Sequence, residues 1–257
     1  MGLSVDLTGT GGPHPGNRNA PRAVVRAAVL YVLRSLVARD IPMNEGTLRP
    51  VTLTVPQGSM LDPPPGAALV GGNVETSQRL VDLLLLASGA RAASQGTMNN
   101  LSLGSASWSF YETLGGGGGA SASGPGSTAT QVHMTNTRGT DPEILEARLP
   151  LRVRRLAIRR DSGGVGTHRG GDGLVRELEV LAPCEASLLA GRRREGAPGL
   201  VGGNRGDPGR DQFWSEGEWR PWNGRTVPLK PGDRVRVETP GGGGWGPPVT
   251  PPSEEAS

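Results

Sequence analysis

The sequence predicts an α+β fold: two amino-side helices packed on a β-rich carboxyl part with many short strands and Gly/Pro turns. Three observations carry this. Apolar residues recur at helical spacing in two stretches, both before residue 90. From Leu101 onward the pattern is mostly period-two or unbroken β-branched. The 42 glycines and 23 prolines among 257 residues sit between those runs as punctuation, which favours tight turns over disorder. One domain is expected over residues 1–246, followed by a proline-rich, acidic and mobile tail over 247–257.

Taken in order, Ser4–Thr8 alternates as a short strand and runs into the Gly9–Gly16 turn. Asn19 can cap a helix with Pro21 in its first turn, where the missing N–H does no harm. Val25, Val29, Val32 and Leu36 form its buried stripe, and the helix should end near Arg39, before Ile41-Pro42. Pro50–Pro56 alternates as a strand bracketed by prolines. Asn73 is the expected N-cap of a second helix with Leu80, Val81, Leu84 and Leu85 inward and Gly89 as its stop. Glu75 either complements that helix's positive end or stands at the mouth of a site. Further strands are expected at Gln131–Met134, Leu151–Arg159, Leu174–Leu181, Ser187–Ala190, Asp211–Trp214 and Arg234–Glu238.

Composition narrows the function. Net charge is +3. The arginine clusters at 152–155, 159–160 and 192–194 read as solvated strand edges, since acids interleave them and no nucleic-acid motif accompanies them. Cys184 is the single cysteine, which excludes an internal disulfide framework and a multi-cysteine zinc site. The start carries no basic n-region or apolar h-region, and Asp6 stands where a myristoylation signal needs Ser or Thr. The apolar run Leu83–Ala87 is far too short to span a bilayer. A soluble cytoplasmic protein is expected, with no membrane or nucleic-acid partner.

Chemistry concentrates between Ser94 and Arg138. Gly115–Gly119 follows an extended FYETL; the run, with Gly115, Gly116 and Gly117 foremost, is an anion cradle or equally a flexible turn, without the lysine of a Walker loop. Glu112, just before it, is a general base or the holder of a substrate amine; the plain alternative is a solvated strand-end glutamate. His133 offers a proton acceptor near neutral pH, Asn136 a donor to a carbonyl and Arg138 a fork for a carboxylate. Alone, His133 reads first as a hydrogen-bonded, partly buried histidine. Asn99 and Asn100 add amides that a packed strand would avoid. His14, His133 and His168 are too dispersed for metal ligation by this chain, and no GxSxG elbow is present.

The segments PMNEGTLRPV (42–51), GGNVETSQRLVD (71–82), SQGTMNNLSLG (94–104), YETLGGGGGA (111–120), HMTNTRGTDPEILE (133–146), DSGGVGTHRGGDGLVREL (161–178) and TPGGGGWGPP (239–248) occur in the order seen in one family. By them the chain resembles the hydantoinase B/5-oxoprolinase family, over about the carboxyl half of its B subunit. The resemblance implies ATP-dependent hydrolysis of a cyclic amide, 5-oxoproline to glutamate or a related hydantoin ring opening. ATP would be bound by a kinase-like hydantoinase A-type partner subunit or domain. The amino half of the B subunit would be a further partner and would carry any divalent metal; a homo- or hetero-oligomer is expected. Glu112 and His133 become the candidate catalytic residues, and Glu75, Asn99, Asn100, the glycine run, Asn136 and Arg138 the substrate- or phosphate-binding set. Gln131 stands where family members often carry a histidine. Ketone carboxylation, known in the same superfamily, and a non-catalytic assembly role are the alternatives.

Overall fold

A computed structural model describes residues 2–37 and 39–248. Of the expected tail, 249–257 lie outside the described residues; Pro247 is tied back, its carbonyl accepting the Thr167 hydroxyl at 2.9 Å. Strand β1 (Leu3–Asp6) precedes helix α1 (Arg22–Leu36) and pairs in parallel with β2 (Val51–Thr54). Helix α2 (Ser77–Ala87) grows out of a π-type turn over Gly72–Thr76.

This amino third has its own core. Val25, Ala28 and Val32 of α1 meet Leu80, Val81 and Leu85 of α2, with Leu7, Val55 and Leu61 closing the ends. Leu36, expected inside, is 45% exposed. Both expected caps are corrected. Pro21 occupies the cap of α1, while Asn19 is buried and ties the preceding loop to the carbonyls of His14, Gly16 and Ala68. Asn73 lies within the π-type turn, not before the helix. Gly89 does stop α2: at φ +70° its N–H reaches Leu86 O, and Ala90 N–H reaches Leu85 O.

The remainder is antiparallel. Strands β3 (Asn100–Gly104) and β4 (Ser109–Thr113) are followed by a short helix α3 (Pro142–Arg148) and the strands β5 (Leu151–Arg159), β6 (Gly173–Val180) and β7 (Cys184–Leu189). Strands β8 (Arg210–Ser215), β9 (Glu218–Pro221), β10 (Val227–Leu229) and β11 (Arg234–Glu238) complete the fold. They form a four-stranded sheet in the order β10-β7-β3-β4 and a five-stranded sheet in the order β5-β6-β11-β8-β9. One apolar cluster joins them, with Leu101, Leu103 and Phe110 from the first sheet and Leu178, Val180, Val235 and Val237 from the second.

Beside the sandwich lies a layer made almost wholly of backbone. Glycine segments near 115–119, 163–171, 199–206 and 241–246 cross at separations that exclude side chains: a Cβ on Gly117 would lie 2.1 Å from both Gly171 O and Gly242 N. A Cβ on Gly119 would lie 1.8 Å from Ala92 O. The segments hydrogen-bond to one another, as in Gly171 N–H to Gly118 O (2.9 Å) and Gly242 N–H to Gly171 O (2.9 Å). The glycine content is therefore spent on close chain approach.

Candidate functional site

Two strands carry a charged residue in a register that faces the core. Along β4 and just beyond, Phe110, Glu112 and Leu114 alternate onto one face; along β6, Leu174, Arg176 and Leu178 do the same. Glu112 and Arg176 meet between the sheets at 3.2 Å, their side chains only 3% and 1% exposed. Thr140 N–H donates to Glu112 Oε1 at 2.7 Å and brings the chain after β4 across the pair. The two line a pocket of about 510 Å³ together with Gly115, Gln131, Thr137 and the start of α3. Gln131 is held by donating to Thr113 O at 2.9 Å.

Hydrogen bonding in this pocket is incomplete. Glu112 Oε2, Gln131 Oε1 and Arg176 Nε and Nη2 are buried and have no hydrogen-bond partner among the described residues. The ion pair offsets part of the desolvation, yet buried donors and acceptors left open cost about 1–3 kcal/mol each. Two of these four atoms, Glu112 Oε2 and Arg176 Nε, face each other across the 3.2 Å ion pair, and Gln131 Oε1 and Arg176 Nη2 are the remaining unbonded pair, which makes the pocket a candidate site.

A second polar cluster runs along α2. Glu75 accepts the Thr97 hydroxyl (2.6 Å), Met98 N–H (3.3 Å) and Asn100 Nδ2 (3.2 Å). Burial pushes its carboxyl up to about 7, against the pull of the Thr97 hydroxyl, Arg18 and the Met98 amide. Two turns later Asp82 receives Ser94 N–H (2.8 Å), His133 Nε2 (2.9 Å) and Arg192 Nη2 (3.2 Å). Arg193 clamps Asp211 through two bonds and also donates to Asn99 Oδ1 at 2.7 Å.

The expected site residues therefore separate. Glu112 and Gly115 share the pocket. Gly116 and Gly117 do not form an anion cradle: from Gly116 to Gly119 the N–H groups donate to Thr130 O, Pro240 O, Ser127 O and Ser94 Oγ. Asn99 and Asn100 are not free for substrate either. Asn99 Nδ2 donates to Gln95 Oε1 and Leu114 O; Asn100 donates to Glu75 and Leu189 O and accepts from Tyr111. Glu75 is internal, neither at a site mouth nor a partner of the helix end. The stretch Gln131–Met134 is a turn, with His133 at φ 54°, and not a strand. His133 packs on Asp82 and edge-on to Tyr31, while Asn136 and Arg138 are exposed and do not line the pocket that Thr137 enters. Arg192 and Arg193, read as a solvated edge, are internal clamps.

Arg176, Asp82, Arg192 and Asp211 were not singled out by sequence. For Arg176 a signal existed: an arginine at the inward position between Leu174 and Leu178 of an alternating run. Among the described residues no three His, Cys, Asp or Glu side chains converge on a common point. No described helix is long and apolar enough to cross a membrane.

Comparison with known proteins gives a consistent picture. The profile of the family described as hydantoinase B/oxoprolinase matches residues 1–248. The chain is 49% identical over 245 residues to 5-oxoprolinase 1 of Arabidopsis thaliana and 43% identical over 249 residues to 5-oxoprolinase of Dictyostelium discoideum. Those matches take in 95% and 94% of this chain but only 19% of each relative, so it spans about a fifth of their length. The 5-oxoprolinase of Saccharomyces cerevisiae is 42% identical over 258 residues, with 90% of this chain and 20% of that protein covered. Among solved structures, the ATP-dependent caprolactamase of Pseudomonas jessenii superposes with a TM-score of 0.79 at 23% identity, covering 93% of this chain and 45% of that one. An acetone carboxylase chain gives 0.79 at 16%, covering 95% and 39%, and like the caprolactamase it supports the fold alone. The chain belongs to the hydantoinase B/oxoprolinase family.

Proposed function

We propose that this chain supplies a ring-opening pocket to an ATP-dependent cyclic-amide hydrolase acting on 5-oxoproline or a related hydantoin. Two lines support the reading: similarity to proteins named 5-oxoprolinase along nearly the whole chain, and the buried, incompletely bonded Glu112–Arg176 pocket. The pocket carries the assignment to these residues. Glu112, with Oε1 fixed by Thr140 N–H and Oε2 facing Arg176 Nε at 3.2 Å without a hydrogen bond, is the proton acceptor for an attacking water. His133 takes a positioning role in place of the catalytic one expected from sequence. Its bond to Asp82 pins the loop that brings Gln131, Thr137 and Thr140 to the pocket.

The closed glycine layer does not fit ATP, so ATP is assigned to a kinase-like partner domain or subunit. Phosphorylation of the lactam oxygen there would replace the resonance-stabilised amide by an imidoyl phosphate, with loss of the N–H proton; one water then adds at that carbon, the C–N bond breaks to leave an acyl phosphate, and a second water releases phosphate. A divalent metal is likewise assigned to the amino half of the B subunit, since no cluster of ligands forms here among the described residues. Within this reading the protein is cytoplasmic and, with 5-oxoproline as substrate, takes part in glutathione metabolism.

The test uses the complete protein or complex containing this chain. With ATP it is expected to release glutamate from 5-oxoproline, or ring-opened product from hydantoin, with ADP and phosphate. Absence of both products would refute the hydrolase reading, and bicarbonate-dependent carboxylation of acetone in the same preparation would select the ketone carboxylase alternative.

A further inference from the structure

We infer that Arg176 sets substrate specificity by binding a carboxylate on the cyclic amide, with Gln131 taking the N–H that the ring nitrogen carries as the ring opens. This rests on the ring-opening reading above. A cyclic amide bearing a carboxylate presents one anion on a small apolar ring, and once water has added at its phosphorylated carbon the ring nitrogen again presents an N–H donor. The pocket presents the complement: a guanidinium that faces Glu112 through Nε without a hydrogen bond and has Nη2 unbonded, an unbonded amide oxygen at Gln131, and an apolar wall from Leu114, Leu156 and Leu174. Guanidinium and carboxylate match as a fork, which a lysine ammonium does not reproduce.

Within the protein Glu112 is the counter-charge to Arg176. At 3.2 Å from Arg176 Nε it makes no hydrogen bond to it. A substrate carboxylate that takes over the guanidinium releases Glu112 Oε2 toward the water it is proposed to activate. Neutral lactams leave Arg176 open and are selected against by roughly 10- to 100-fold, the value of a charge-assisted hydrogen bond.

The experiment again uses the complete ATP-dependent protein. In the wild type, cyclopentanecarboxylate is expected to compete with 5-oxoproline, and cyclopentanecarboxamide, of the same shape without the charge, to compete at least tenfold less well. In Arg176→Lys, the ratio of kcat/KM for 5-oxoproline to that for 2-pyrrolidinone is expected to fall by about 10- to 100-fold, and the preference for the carboxylate inhibitor to disappear. Equal inhibition by the two analogues in the wild type would overturn the inference whether or not the variant folds. So would equal loss on both lactams in Arg176→Lys, which would make the arginine a structural strut. If the wild type turns over no lactam, the ring-opening reading fails separately. Calorimetric titration of the same protein with the two analogues then decides: selective binding of the carboxylate upholds the site, and equal or absent binding overturns it.

Discussion

Replacing Gly117 by alanine separates two uses of the glycine run. As an anion cradle, the run would tolerate a methyl group in folding and lose function. As a packed layer it would lose stability. An alanine Cβ at position 117 would stand 2.1 Å from Gly171 O and 2.1 Å from Gly242 N. Both are backbone atoms, so neither can swing aside, and each must retreat by about 1.3 Å to reach ordinary contact. That retreat strains Gly242 N–H to Gly171 O and Gly117 N–H to Pro240 O, each 2.9 Å. Overpacking costs about 1–3 kcal/mol and each lost backbone bond about 1 kcal/mol. The expected destabilisation is therefore about 3–5 kcal/mol, a large share of the total stability of a domain. The assay is urea unfolding followed by circular dichroism, with Gly11→Ala as control, since nothing lies within 4 Å of a Cβ there. The control is expected within about 0.5 kcal/mol of wild type. A Gly117→Ala protein as stable as the control but inactive would refute the packed-layer account and restore the anion cradle.

Two further predictions concern the polar cluster along α2. Asp82 neutralises Arg192 and orients His133 and Ser94, so Asp82→Asn leaves a buried guanidinium without its counter-charge and should cost about 3 kcal/mol or more in urea unfolding; a loss under 1 kcal/mol would contradict this. Burial raises the folded-state value of Glu75 from 4.5 to about 7, so the folded protein keeps a proton that the unfolded chain releases. Its stabilising contribution is complete below the unfolded value and is lost as pH rises through the folded value. From pH 4.5 to 7 the wild type should therefore lose about 3 kcal/mol relative to Glu75→Gln, which has no such titration. Parallel stability curves for the two proteins would refute it.

Regular alternation and helical spacing were legible in the sequence. The bounds of β5 and β11 coincide with those expected, because turn residues bracket both strands, although β5 shifts register at a bulge between Val153 and Arg155. The inward residues Val25, Val29, Leu80, Val81 and Leu85 also stand as expected. Helix α3 was missed although Asp141 caps it through Glu143 and Ile144 N–H, with Pro142 in its first turn; it spans only Pro142–Arg148, too short for a periodic stripe. The site was less legible because its contacts are distant in sequence. His133 finds Asp82, and Glu112 finds Arg176, only once the loop and the two sheets are assembled. Polarity marked Asn99, Asn100 and the glycine run as binding groups, yet composition does not distinguish an amide offered to a ligand from one spent inside the protein.

The central claim is that Glu112 accepts a proton during ring opening. The direct measurement is single-turnover release of ring-opened product by Glu112→Gln in the complete protein with ATP, alongside its urea midpoint. Glutamine keeps an acceptor for Thr140 N–H and removes the proton-accepting carboxylate. The account predicts at least a ~100-fold slower ring opening in folded protein. A rate within threefold of wild type would contradict it and leave this chain an assembly module.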